Sequence, residues 1–294
     1  MLNTPSSSDS ISGTSQFCAF AELFRLPVSV VAALAGCATT YALNSALPLQ
    51  LYLLTAGVLF CMTAAACAIN DYWDLNKDRI NHPNRPLPSG RLSIEQAWWA
   101  AVVLFTCALI AAIPLGLYSF ILVAVSIILL WNYSHLLTYS GILGNVLVAT
   151  IIAFLILLGS LVAGKPFAMS YPLGFLFCYA LARELIWDVH DAKGDRDYGI
   201  ITVANRWGEQ TAFSIAWGLI GVLSASIPVA LIGLPMAHPL LFAAFSSVML
   251  LIFGTTLFPY QQQPSERTYE RFVFWERIGM LLGVLGLLGA APPF

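Results

Sequence analysis

The sequence predicts an all-α, polytopic membrane protein, with about nine transmembrane helices and an aspartate-rich site on the cytoplasmic side. Three observations predict it. Hydrophobic residues make up 59% of the 294 residues and charged ones only 10%, against about 25% charged in a soluble domain; mean hydropathy is +0.80. The apolar residues gather in runs long enough to cross a bilayer, about 20 residues each. Of 15 acidic residues, seven (Asp71, Asp74, Asp78, Asp188, Asp191, Asp195, Asp197) lie in two short clusters, each at the end of such a run.

Residues 1–17 are Ser/Thr-rich, lack a basic stretch and precede a long apolar run. They read as a short disordered tail rather than a cleaved signal, and 18–294 as one transmembrane domain. The expected spans are 19–43, 48–70, 95–113, 115–132, 141–163, 170–188, 211–233, 236–258 and 273–290. The third and fourth are divided only by Pro114 and Gly116. With a cytoplasmic N-terminus, the inner loops hold Lys77, Arg79, Arg85, Arg91, Lys193, Arg196, Arg206, Arg267 and Arg271, and the outer loops only Lys165. That asymmetry follows the positive-inside rule. It places both aspartate clusters in the cytoplasm and the C-terminus on the opposite side. The six cysteines fall in or beside apolar runs and read as small packing residues; no Cys/His spacing suits zinc. No nucleic-acid partner is expected, and nothing in the sequence sets the oligomeric state.

Asp71, Asp74 and Asp78 stand at i, i+3 and i+7, and so do Asp188, Asp191 and Asp195. On a helix those offsets put three carboxylates on one face. A charge at mid-membrane costs about 2.5–3.5 kcal/mol by insertion scales; at helix ends the cost is smaller, but six must be compensated. Basic residues nearby look too few to pair them all. An all-oxygen cluster suits a hard cation, and Mg²⁺ prefers carboxylates together with substrate phosphate oxygens. The six aspartates are therefore candidate metal ligands, with Asp71, Asp74, Asp191 and Asp195 the expected catalytic set. The expected partner is an isoprenoid diphosphate, its head bridged by Mg²⁺ between the clusters and its tail among membrane-embedded helices. Arg79, Arg85 and Lys193 are candidates to hold the diphosphate. His190, between two aspartates, is a further possible ligand or base; His82, His135 and His238 show no partner. Three prolines in Pro83–Pro88 make the loop after the first cluster stiff and turn-rich, suited to capping a site.

Asn70-Asp71-x-x-Asp74-x-x-x-Asp78, followed by Asn84-Arg85-Pro86-Leu87-Pro88-Ser89-Gly90, resembles the first motif of the UbiA-type intramembrane prenyltransferases. Asp188-x-x-Asp191-x-x-Gly194-Asp195-x-x-x-Gly199-x-x-Thr202 resembles the second. The detail is most similar to the branch with digeranylgeranylglyceryl phosphate synthases, chlorophyll synthases and homogentisate prenyltransferases. The resemblance implies a helical bundle with a cavity opening to lipid, Mg²⁺-dependent chemistry and transfer of a prenyl group to a small or lipidic acceptor. It also implies substrate contacts from Asn70, Tyr133 and Asn145.

Some positions depart from that pattern. Family members often carry Lys-Arg where this chain has Thr138-Tyr139, a lysine where it has Trp187, and an asparagine just after Arg-Pro where it has Arg25-Leu26-Pro27-Val28-Ser29. Those changes count against an anionic acceptor. Trp187 and Tyr139 are aromatic, and an aromatic face steadies a cation by about 0.5–2 kcal/mol. The alternative expectation is therefore a terpene cyclase on the same scaffold, with both rings lining the path of a migrating carbocation.

Overall fold

The computed structural model describes residues 13–136 and 141–293, and every regular element among them is helical. Helix α1 (Gly13–Leu23) and α2 (Leu26–Leu43) replace the single span expected over 19–43. Pro27 sits in the first turn of α2; its ring would clash with the carbonyl four residues back, which is Leu23, where α1 stops. Arg25 makes the break with φ 44° and ψ 54°, the one non-glycine positive φ among the described residues. Helix starts at Gly13, inside the stretch expected as tail; residues 1–12 lie outside the described residues.

Helix α3 (Leu49–Trp73) runs into the first motif, and α4 (Leu75–Asn81) follows after Asp74 alone. Backbone bonds Asp74 N to Asn70 O (2.9 Å) and Asp78 N to Asp74 O (2.8 Å) carry the helical path through the join, so the aspartates keep their shared face. Helix α5 (Ile94–Ala112) opens on a Ser93/Gln96 capping box. Ile113–Leu115 forms a 3₁₀ turn, and Gly116, at φ 98°, divides α5 from α6 (Leu117–Leu136). Then come α7 (Ile142–Val162), α8 (Ser170–Asp197), α9 (Val203–Trp207), α10 (Glu209–Gly233), α11 (Pro239–Gln262) and α12 (Glu266–Ala290). Among the described residues, seven helices are long and apolar enough to cross a membrane: α2, α3, α5, α7, α10, α11 and α12. Helix α6 offers the shorter apolar stretch Leu117–Tyr133, and α8 continues past its apolar part to carry the second motif.

The packing falls into two apolar cores. One joins α3, α5 and α6, with α1 beneath. The other joins α8, α10, α11 and α12. Helices α2 and α7 lie at the seam: α7 contributes side chains to both cores, and α2 belongs to the second while packing against α3 of the first. Each half therefore delivers one aspartate motif, and the cavity lies between them.

The seam depends on close backbone approach. A Cβ on Gly159 would stand 2.9 Å from the Gly36 carbonyl oxygen and 2.9 Å from Thr39 Cβ. A Cβ on Gly36 would instead meet the tip of Leu59, a flexible side chain. We expect Gly159→Ala to destabilise the fold by about 1–3 kcal/mol and Gly36→Ala by clearly less. Thermal melting of the two variants in one detergent checks the order; equal melting temperatures would contradict it.

Candidate active site

The two motifs meet because the end of α4 is fastened to α8. Asn81 donates through Nδ2 to the Asp191 carbonyl (2.9 Å) and accepts at Oδ1 from the Gly194 N–H (2.9 Å). Next to it, His82 Nε2 lies 2.9 Å from Asp191 Oδ1. One turn back, Lys77 Nζ stands 3.1 Å from Asp74 and 3.6 Å from Asp195, bridging the motifs. Gly194 is part of this bracket: a Cβ there would fall within 2.5–2.7 Å of Asn81 side-chain atoms.

Every aspartate of the two triads has a polar partner. Asp71 is held by Arg25 (3.1 Å) and Arg85 (3.6 Å), and Asp78 by Arg85 (2.8 Å). Asp188 accepts from Asn145 Nδ2 at 2.9 Å. Cations are fewer than carboxylates, as expected: Arg25, Arg85 and Lys77 serve four of the six, Asp191 meets His82, and Asp188 has only an amide; Arg25 joins from outside the motifs, and His82 has a partner after all. Asp195 is the least satisfied. It is 3% exposed, yet its Oδ1 accepts no hydrogen bond. Burial pushes Asp78 and Asp195 up to about 6, against the pull of Arg85 and Lys77 respectively. For Asp191 burial acts the same way, but His82, Arg85 and Lys77 outweigh it and hold the carboxyl below its ordinary value. Lys77 loses by burial and gains more from Asp74, Asp195 and Asp191, so it stays firmly protonated.

A cavity of about 370 Å³ runs from this cluster into the bundle. Its polar end takes in Asn70, Asp74, Lys77, Asp78, Arg85, Tyr133, Asn145, Asp188, Asp191 and Asp195; its walls are apolar side chains such as Val58, Leu122, Ile152, Phe175 and Met249. Asp71 does not line it but stands behind, 2% exposed, anchoring Arg25 and Arg85. Two expected diphosphate contacts are corrected. Arg79 is exposed and bonds to Asn76 one turn back, and Lys193 is exposed on the far side of α8. Neither lines the cavity, because their positions fall off the face that carries the aspartates. Tyr139 lies outside the described residues. His190 sits beside the cluster, its ring flat on Tyr269 at 3.5 Å; burial, the largest influence, holds its imidazole below the ordinary value despite Asp191 and Glu266.

The loop 82–91 is fixed on both sides. Arg91 pairs with Glu22 (2.7 Å), and Leu87 and Leu92 are buried, so Arg85 is presented to the site from a rigid frame. Thr202 of the second motif caps α9, accepting from Asn205 N at 3.2 Å. Sequence reasoning missed a buried group deeper in the cavity. Arg183 (7% exposed) pairs with Glu184 (3.0 Å) and with Glu276 of α12 (3.3 Å). Its guanidinium also covers Trp187 at 4.1 Å from the ring centre, with Arg25 at 5.9 Å. The Trp187 face expected to await a carbocation already carries a cation.

Residues 29–278 match the UbiA prenyltransferase family. The chain belongs to that family. Two curated UbiA relatives, both named digeranylgeranylglyceryl phosphate synthase, set the scale of similarity. The protein of Sulfolobus acidocaldarius is 35% identical over 179 residues, 60% of this chain and 65% of its own length. That of Thermococcus kodakarensis is 30% identical over 240 residues, 78% of this chain and 87% of its own length. The chain thus spans slightly less than two thirds of the first. Among solved structures, a UbiA homologue from Archaeoglobus fulgidus bound to GPP and Mg²⁺ superposes with a TM-score of 0.69 at 16% identity, covering 92% of this chain and 99% of that one. The shared fold is the family's helical membrane bundle.

The bracket makes a prediction of unusual sign. Replacing a mid-helix glycine by alanine normally stabilises by about 0.5–1 kcal/mol. Gly194→Ala should instead destabilise by about 1–2 kcal/mol, as should Asn81→Ala. The double variant should be no worse than the poorer single one, since both remove the same contact. Melting temperatures of the three variants check this; additive losses would show that the residues act separately.

Proposed function

We propose that this chain is a Mg²⁺-dependent intramembrane prenyltransferase that moves an isoprenoid group from its diphosphate to a small or lipidic acceptor. The observation that carries the reading is the meeting of two carboxylate triads at the polar end of an otherwise apolar cavity. An isoprenoid diphosphate has the same two-part chemistry, a polyanionic head and a hydrocarbon tail.

The site fits a hard cation. Asp74, Asp188, Asp191 and Asp195 open onto one cavity and offer the all-oxygen set that Mg²⁺ prefers; the buried Asp195 Oδ1 accepts no hydrogen bond and has only Lys77, at 3.6 Å, for company. Those four would hold the ion, and when bound it draws charge onto the leaving diphosphate as a Lewis acid. The other steps fall to the chain. Lys77 and Arg85 donate to diphosphate oxygens with charge-assisted hydrogen bonds, and Arg85 is aimed by Asp71 and Asp78. Tyr133 and Asn70 line the cavity beside the aspartates and face the head group. The apolar walls seat the tail and keep water from the allylic carbon as its bond to oxygen breaks. The acceptor then bonds to that carbon and releases a proton.

Guanidinium donors for an anionic acceptor are present despite the departures from the family pattern, each also paired with a carboxylate. Arg25 and Arg183 flank Trp187 on the cavity wall, and the Trp187 N–H has no acceptor among the described residues. The relatives' name makes a glyceryl phosphate lipid the first acceptor to test. We also assign the polar mouth and the N-terminus to the cytoplasm and the C-terminus to the opposite side, on the Lys/Arg distribution. In keeping with that, the one outer-loop lysine, Lys165, donates to the Leu43 carbonyl at the end of α2 (3.0 Å).

The test is product analysis. Purified protein receives geranyl, farnesyl or geranylgeranyl diphosphate with Mg²⁺, with and without aromatic and glyceryl phosphate acceptors. We expect prenylated acceptor, lost on chelation, with Asp191→Ala and Asp195→Asn lowering turnover by about a hundredfold or more while membrane insertion persists. A cyclic terpene from donor alone, or full activity in those variants, would overturn the reading.

A further inference from the structure

We infer that His82, His190 and Asp191 form a second metal site, rich in nitrogen, at the mouth of the cavity, and that it takes a divalent transition ion such as Zn²⁺ rather than Mg²⁺. One ligand atom from each residue lies within 4.8 Å of the other two. His82 Nε2 is 2.9 Å from Asp191 Oδ1, and the two imidazole rings stand 5.5 Å apart at 34°. Tetrahedral zinc ligands lie at about 2.0–2.1 Å from the ion and hence about 3.3 Å from one another. Small side-chain rotations close the set to that spacing. Glu266 supplies a fourth ligand: its Oε2 is 3.7 Å from His190 Nε2, and its side chain is largely exposed and free to turn inward.

The scaffold holds these groups in place before any ion arrives. The Asn81 bracket fixes the residue next to His82 against α8. The His190 ring is pinned flat on Tyr269 of α12, 3.5 Å between centres and 6° from parallel. A plain ion pair between His82 and Asp191 accounts for one contact but not for a second imidazole and a free carboxylate placed around it. Donor chemistry separates this site from the carboxylate cluster. Imidazole suits Zn²⁺, Ni²⁺ and Co²⁺, whereas Mg²⁺ keeps to oxygen. Asp191 belongs to both sets, so an ion held by the histidines ties loop 82–91 to α8 and α12 and draws Asp191 away from its neighbours. The inference rests on geometry alone and is independent of the prenyl-transfer reading.

The full chain, purified in detergent and stripped with a chelator, is titrated with Co²⁺ in the presence of excess Mg²⁺, and the visible d–d bands are recorded. We expect bands of four-coordinate Co²⁺ saturating at one equivalent, bleached by Zn²⁺, and a melting temperature raised by Zn²⁺. His82→Gln and His190→Gln should each weaken Co²⁺ binding by roughly a hundredfold or more, while Asp74→Asn leaves the bands in place. Melting of each variant without metal shows that it folds; should one histidine variant fail, the other decides. Absence of bands in the unaltered chain overturns the site. So do bands that survive in the histidine variants but vanish in Asp74→Asn, which would put the ion among the carboxylates.

Discussion

The fastening of α4 to α8 is the contact on which the site depends. Two aspartate triads far apart in sequence become one cluster only where Asn81, Lys77 and His82 cross from the first motif to the second. The Asn81 bonds go to main-chain groups of α8, so they set the distance between backbones and leave the aspartate side chains free. Gly194 makes the approach possible by having no Cβ. The close contact of α2 with α7 at Gly36 and Gly159 does the same inside the bundle. One close contact is apolar, between the seam helices, and the other polar, between the motifs.

Six carboxylates at one end of a membrane bundle repel, and the fold answers in two ways. Asp71, behind the cavity, and Asp78, at its edge, are paired with Arg25 and Arg85 and stay buried. Such pairs recover the cost of desolvation only in part, and at Asp78 burial still outweighs Arg85. Asp74, Asp188, Asp191 and Asp195 face the cavity with weaker or shared partners, one lysine, one histidine and one amide. The first group is structural support that aims cations forward. The second retains unspent acceptor capacity, most plainly at Asp195 Oδ1. A division of labour between identical residue types follows from which neighbours the helices bring, not from spacing.

That distinction marks how far the sequence could be read. Helical membrane class and the pairing of the motifs were legible because hydropathy runs and i, i+3, i+7 offsets are local properties; Asn145 and Tyr133, which line the cavity, were named only through the family resemblance. Arg79 and Lys193 were misplaced because a charge close in sequence was taken as close in space, while their helix positions turn them to solvent. Arg25 was overlooked for the complementary reason: it is the left-handed residue between two helices, a break that an unbroken apolar run over 19–43 conceals. The nearness of His82 and His190 was not legible, because they come from a loop and a helix that only the tertiary fold joins.

The same reasoning bears on the departures from the family pattern. Read position by position, a lysine replaced by Trp187 is a lost cation beside the second motif. In the folded chain Trp187 is the surface on which Arg183 lies, with Arg25 close by. Arg183 is in turn held by Glu184 and Glu276, so its position is fixed from two helices. The substitution therefore puts in the lysine's place a ring that seats a guanidinium, and the charge of that guanidinium is balanced by Glu184 and Glu276 as that of Arg25 is by Asp71.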